Sequence, residues 1–143
     1  MLKNIPPLLG PDLLFILRAM GHGDEIAIVD ANYPADAAGP ELVRLDGITA
    51  TDVLDAVLSL MPLDDFVDTA AITMQVVGDA GARPPVVDEF DAIVKRHEPK
   101  MTVSSMERFA FYDRVKAGYA IVQTGERRLY GNILLKKGII RPQ

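Results

Sequence analysis

The stretch "AAITMQVV", residues 70–77, limits what this chain can fold into more than any other. It has the length of a strand, and nearly every position is apolar. A strand with one wet face alternates apolar and polar residues. A nearly continuous apolar run instead belongs to a buried strand. "EIAIVDA" (25–31) is a second strand, β-branched, short and bounded by turn residues. "ELVRLDG" (41–47) is a shorter one with rough alternation. "MTVSS" (101–105) is a short strand or connector. "YAIVQTG" (119–125) and "YGNILLKKG" (130–138) are the last two strands, joined by the polar turn "GERR" as a hairpin-like pair.

Helical patterns alternate with these strands. In "DLLFILRAM" (12–20), Asp12 can cap the start, Leu13, Leu17 and Met20 share a face, and Gly21 ends the helix. "TATDVLDAVLSLMPL" (49–63) is the clearest helix. Thr49 and Asp52 stand in capping-box register, Val53, Val57 and Leu60 form a stripe, and Pro62 stops it. After the loop "GDAGARPP", residues 86–97 put Val87, Phe90 and Val94 on one side. "SSMERFAFYDRVKAG" (104–118) opens with Ser104 and Glu107 in capping-box register and closes at Gly118. Strands and helices mix throughout, which predicts an α/β fold with a mixed sheet. The 143 residues suit one domain, 1–143.

Composition narrows the function. The net charge of -5 argues against a general binder of nucleic-acid backbone, which needs a basic stripe. With no cysteine, disulfide scaffolds and thiolate metal sites are excluded, and a reducing cytoplasm fits. "MLKNIPPLLGPDLL" has no long apolar run before its prolines, so no signal peptide is expected, and no stretch approaches the ~20 apolar residues of a membrane span. The two histidines lack metal-ligand spacing, and no glycine-rich nucleotide loop opens a helix, so neither a metal nor a nucleotide is expected.

Three stretches hold polar residues where chemistry can sit. In "GHGDEIAIVDANYP" (21–34), His22 lies between two glycines, and an imidazole exchanges protons near neutral pH. Asp30 falls at the C-terminal end of a strand, where sheets present ligand-binding groups. The alternative is a surface loop histidine and an aspartate that starts a turn. In "ERFAFYDR" (107–114), Arg108 and Tyr112 share a helix face, a fork for oxygens beside a phenol. The alternative is an amphipathic helix with Tyr112 at the edge of the core and Arg108 paired with Glu107 or solvated. In "YGNILLKKG", Tyr130 and Asn132 point to one side of a strand, and Gly131 between them invites the close approach of a ligand or another backbone. The alternative is a bulge or packing glycine. His97, in "KRHEP", reads as solvated.

Together "MGHGDEIAIVDANYP", "RFAFYDR" and "TGERRLYGNILLKKG" resemble the RbsD/FucU family, and "RFAFY" resembles its L-fucose mutarotase branch. The likeness runs from "MLKNIPPLLGPDLL" to "KKGII". It implies a compact α/β fold assembled into a ring-like homo-oligomer, typically a decamer, with sites near subunit contacts. It implies interconversion of sugar anomers without metal or other cofactor. By position, His22 matches the acid/base histidine and Tyr112 the aromatic hydroxyl at the reacting end of the sugar. Asp30, Arg108, Tyr130, Gly131 and Asn132 match sugar-binding positions. Asp24 and Glu25 read as turn and subunit-contact residues. "GDAGARPP" and the charges of "GERRL" depart from the family pattern without touching the chemistry.

The chemistry fits these residues. Mutarotation removes a proton from the anomeric hydroxyl and protonates the ring oxygen as the ring C–O bond breaks; the aldehyde rotates, and the steps reverse. Positioned proton transfer supplies roughly 10²–10⁴-fold. Two alternatives remain open at this point: a pyranase acting on D-ribose, and a non-catalytic oligomeric sugar-binding module.

Overall fold

The structure is a computed structural model that describes residues 1–143. Its strands are β1 (Glu25–Val29), β2 (Glu41–Leu45), β3 (Ala71–Met74), β4 (Val103–Met106), β5 (Ala120–Thr124) and β6 (Ile133–Lys136). Its helices are α1 (Pro11–Ala19), α2 (Ala35–Ala38), α3 (Ala50–Leu58), α4 (Pro85–His97) and α5 (Arg108–Lys116). The strands form one sheet in the order β2-β5-β1-β6-β3-β4.

Strand periodicity divides the core into two layers. Successive side chains on a strand point to opposite faces. Ile26 and Ile28 of β1, with Val122, Ile133 and Leu135, join α1, α3 and α4 on one face. Ala27 and Val29, with Ile72, Ile121 and Leu134, join Phe111 and Val115 of α5 and Ala35 of α2 on the other. The sheet is therefore covered on both faces, as the apolar runs required. The outer strands β2 and β4 are more exposed, which matches the rougher alternation of "ELVRL".

The sheet is mixed, but not through a hairpin. β6 is the one strand that runs against its neighbours, β1 and β3; the remaining pairings are parallel. β5 and β6 do not touch, because β1 lies between them, pairing Ile26 with Ala120 on one side and with Leu135 on the other. The reason is burial. Ile26, Ala27, Ile28 and Val29 are at most 1 % exposed, so β1 needs a strand on each side and a layer on each face.

Several caps differ from the sequence reading. Thr49 caps α3 as expected, its hydroxyl accepting from the Asp52 N–H at 3.2 Å. Asp12 does not cap α1: Pro11 takes the first helical position behind Gly10, which leaves Asp12 in the first turn facing the helix dipole. The end of α1 is closed from a distance, since the partly buried Lys137 ammonium donates to the Leu17 and Met20 carbonyls. Ser104 does not cap α5, because β4 uses it in pairing with β3. Glu107 caps instead, accepting from the Phe109 and Ala110 N–H groups at 2.8 and 3.1 Å. His97 is not simply solvated either: its Nε2 lies 2.6 Å from Asp55 Oδ1, tying α4 to α3.

Gly125 follows β5 at a point where no side chain fits. Its N–H donates to the Ile48 carbonyl at 2.8 Å, and a Cβ there would lie 2.0 Å from the Asp46 carbonyl oxygen. Gly47, on the same loop, faces open space. We therefore expect Gly125→Ala to lower the free energy of unfolding by about 1–3 kcal/mol or more, as overpacking does. Gly47→Ala should change it little. Urea unfolding of both variants checks the contrast.

Candidate functional site

The ends of β1 and β3, the first turn of α5 and the segment entering β6 converge on a cleft of about 190 Å³. Asp30, Tyr33, Arg108, Tyr112, Tyr130 and Asn132 line it. It lies at the C-terminal edge of the parallel strands, the usual ligand position in such sheets. Three distant stretches of sequence thus meet in one place.

Asp30 leaves β1 as a buried carboxylate, 5 % exposed. Its backbone N–H donates to Asn132 Oδ1 at 2.8 Å, and its Oδ1 accepts from the Asn32 N–H at 2.9 Å. Burial pushes the carboxyl pKa up, and bonds from Asn32 and Asn132 only partly offset this; no cation of the chain contributes. The Tyr33 and Gly131 N–H groups also face it, so the carboxylate is hydrogen-bonded but has no positive partner.

Arg108 and Tyr112 share one face of α5, and both reach the cleft. Glu107 is occupied with its cap, so it does not pair with Arg108. The guanidinium lies 4.5 Å from the centre of the Phe109 ring, and its Nε is sealed without an acceptor. A buried donor left unmade costs about 1–3 kcal/mol, a sign of a group held for something other than stability. The Tyr112 ring stands edge-on to Tyr33 at 5.3 Å and to Phe109 at 6.3 Å.

The Tyr130–Gly131–Asn132 segment reaches the cleft, but not as strand. It forms the turn before β6, and Tyr130 adopts a left-handed backbone with φ of 63°. Such a conformation costs about 1–3 kcal/mol outside glycine and gathers at functional sites. The phenol oxygen of Tyr130 accepts from the Val77 N–H at 3.1 Å. Gly131 is absent of a side chain for packing: a Cβ would lie 2.7 Å from Glu126 Cγ. Glu126 is buried and grips Arg128 through Nε and Nη2, each at 3.0 Å, while its carbonyl accepts from the Ala31 N–H at 2.9 Å. The ion pair braces the turn before β6, and the Ala31–Glu126 backbone bond ties that turn to the one after β1. In the sequence, "GERR" reads only as a polar turn between two strands, without this pairing. An acid two residues before a base was its only signal.

His22 is elsewhere. It precedes β1, whereas Asp30 follows it, and five strand residues advance roughly 13–16 Å. One chain therefore does not bring His22 to Tyr112. Its Nε2 lies 3.0 Å from Oδ1 of Asp64, a nearly sealed carboxylate, and its ring packs 5.3 Å from Phe66. Burial alone would push the Asp64 carboxyl up, but the bonds from His22 and the Phe66 N–H hold it below the ordinary range. Asp64, 42 residues away, went unremarked in the sequence. Asp24 serves the turn, accepting from the Gly21 N–H at 2.7 Å. Glu25 is paired within the chain: Arg114 grips both its oxygens, at 2.8 and 2.7 Å. No three acidic, histidine or cysteine side chains gather as a metal site.

The whole chain has known relatives. Residues 3–140 match the model of the RbsD / FucU transport protein family. The fucose mutarotase of Bos taurus is 44 % identical over 148 residues, covering 99 % of this chain and 96 % of that one. The fold superposes on a fucose mutarotase from Streptococcus pneumoniae solved in complex with L-fucose, with a TM-score of 0.90, 42 % identity, and coverage of 98 % and 100 %. Bacillus subtilis RbsD, solved with D-ribose, shares the fold at a TM-score of 0.73 and 21 % identity, covering 99 % of this chain and 100 % of that one. The chain belongs to the RbsD/FucU family.

Proposed function

We propose that this protein is an L-fucose mutarotase, a cofactor-independent isomerase that interconverts the α and β anomers by opening and closing the sugar ring. One observation carries the reading: the full-length likeness, at 42 % identity, to a fucose mutarotase solved with L-fucose. The likeness to the ribose-bound protein extends to the fold alone, so nothing favours ribose over fucose. The cleft supports the reading chemically. Asp30 accepts from sugar hydroxyls, Arg108 and Asn132 donate to them, and Tyr130 and Gly131 shape the floor. Tyr112 stands at the reacting end, and His22 is its partner in proton transfer. As one group takes the anomeric hydroxyl proton, the other protonates the ring oxygen; the ring C–O bond breaks to give the open aldehyde, and reclosure reverses both transfers.

Because His22 and Tyr112 sit at opposite ends of β1, the pair must form between copies. Apolar rims support this: Phe66 beside His22 and Phe109, Leu129 and Val77 around the cleft are 54–66 % exposed. Two unlike patches that meet head-to-tail build a ring when the rotation between copies closes. We infer a cyclic homo-oligomer, such as the decamer that the family resemblance implies, built from a single domain of residues 1–143. A cytoplasmic setting fits the absence of cysteine, and no helix is long and apolar enough to cross a membrane.

Exchange NMR of L-fucose should show α/β exchange faster than in buffer, with D-ribose accelerated less; exchange at the buffer rate would overturn the reading. His22→Ala and Tyr112→Phe should each slow exchange by roughly 10²–10⁴-fold while fucose still binds. A second prediction concerns sharing of the site. When the two inactive variants are dissociated, mixed and reassembled, random pairing restores roughly a quarter of the sites. Mixtures that stay inactive although hybrids form would mean that His22 and Tyr112 do not serve one site.

A further inference from the structure

Tyr33 stands in the wall of the cleft with no task assigned to it. Its ring is 5 % exposed and packs edge-on to Phe111 at 6.2 Å and Tyr112 at 5.3 Å. The backbone beneath it is pinned. The Tyr33 carbonyl accepts from Gln123 Nε2 at 2.9 Å and from the Ala35 N–H at 2.8 Å, and Arg44 Nη1 holds Gln123 Oε1 at 2.9 Å. The Tyr33 N–H donates to the Asp30 carbonyl at 3.3 Å, so one turn sets both residues.

The phenol oxygen nevertheless has no hydrogen-bond partner in the chain. It is not sealed in the core, for Arg108 Nε is the one buried side-chain atom left without a partner. Tyr33 lines the cleft and, with Tyr112, a smaller recess beside Ala37, Ala38 and Lys116; Asp30, whose charge acts on the phenol, lines only the cleft and sets the hydroxyl toward it. A buried tyrosine ordinarily finds a partner for its hydroxyl, and packing alone is served by a ring without one. Burial pushes the phenol pKa up, and the nearby Tyr112 and Asp30 push it further, so the group keeps its proton and remains a donor. Asp30, across the same turn, is an acceptor. A donor and an acceptor set side by side match the two needs of one hydroxyl, which offers a hydrogen and lone pairs.

We propose that Tyr33 is a substrate-binding residue that donates a hydrogen bond to a ring hydroxyl of the monosaccharide, next to the oxygens handled by Tyr112, and thereby selects sugars bearing an oxygen at that point. This rests on the mutarotase reading. The test pairs Tyr33→Phe with L-fucose and its 2-, 3- and 4-deoxy analogues, measuring binding by calorimetry and exchange by NMR. Tyr33→Phe should raise the apparent KM for L-fucose roughly 3- to 10-fold, the worth of one hydrogen bond, with a smaller effect on kcat. In the wild type one deoxy analogue should bind weaker by a similar factor, and Tyr33→Phe should be indifferent to that same deletion. A variant that binds L-fucose like the wild type overturns the proposal. So does one that loses the same factor with every analogue, or loses its fold by circular dichroism, for then the hydroxyl serves structure. In a wild type that exchanges fucose, the absence of any sensitive deoxy position overturns it too. A wild type that neither binds nor exchanges L-fucose overturns the mutarotase reading and this inference with it.

Discussion

The structure depends on β1 being apolar on both faces. Ile26 and Ile28 complete one layer of core, Ala27 and Val29 the other. A strand this short with no polar face is stable only at the centre of a sheet. Its central place puts β5 on one side and the antiparallel β6 on the other. Because β6 runs backwards, its beginning arrives where β1 ends. That reversal brings Asn132 to the Asp30 N–H and creates the cleft. An all-parallel arrangement would carry the start of β6 to the far edge, beside His22.

The charges follow a consistent division. Away from the cleft, groups are satisfied within the chain: Arg114 holds Glu25, Arg128 holds Glu126, and Lys137 closes α1. Such partly buried pairs add little net stability but fix geometry. In the cleft, Asp30 has no cation, Arg108 has a buried donor without acceptor, and the hydroxyl of Tyr33 is free. Together with the left-handed Tyr130, these are local departures from stability at one place, and a ligand with several hydroxyls would satisfy them. His22 differs, being already matched to Asp64 on a different edge of the sheet. In the function proposed above, His22 and Tyr112 are the two halves of a proton-transfer pair, set toward opposite ends of β1 and joined only through a second copy.

Much of this was legible in the sequence. The apolar run at 70–77 required layers on both faces, and the end of "EIAIVDA" marked the edge where the cleft lies. Arg108 and Tyr112 four residues apart announced a shared helix face. Local pattern failed where partners came from far along the chain. Ser104 sits in capping register, but strand pairing claimed it. "YAIVQTG" and "YGNILLKKG" look like a hairpin because they adjoin, yet β1, about 100 residues earlier, separates them. Gly131 showed that space was needed, but not that the Glu126 side chain fills it.

The sequence by itself determined the α/β class, the covered sheet and the residue types of the site, because side-chain periodicity and hydrophobic burial act locally. Tertiary structure alone decided which residues meet. It set Asp30 against Asn132, 102 residues apart, and His22 against Asp64, and it put His22 and Tyr112 at opposite edges. Strand order is a global solution to burying every apolar face at once, and no single stretch of chain contains it.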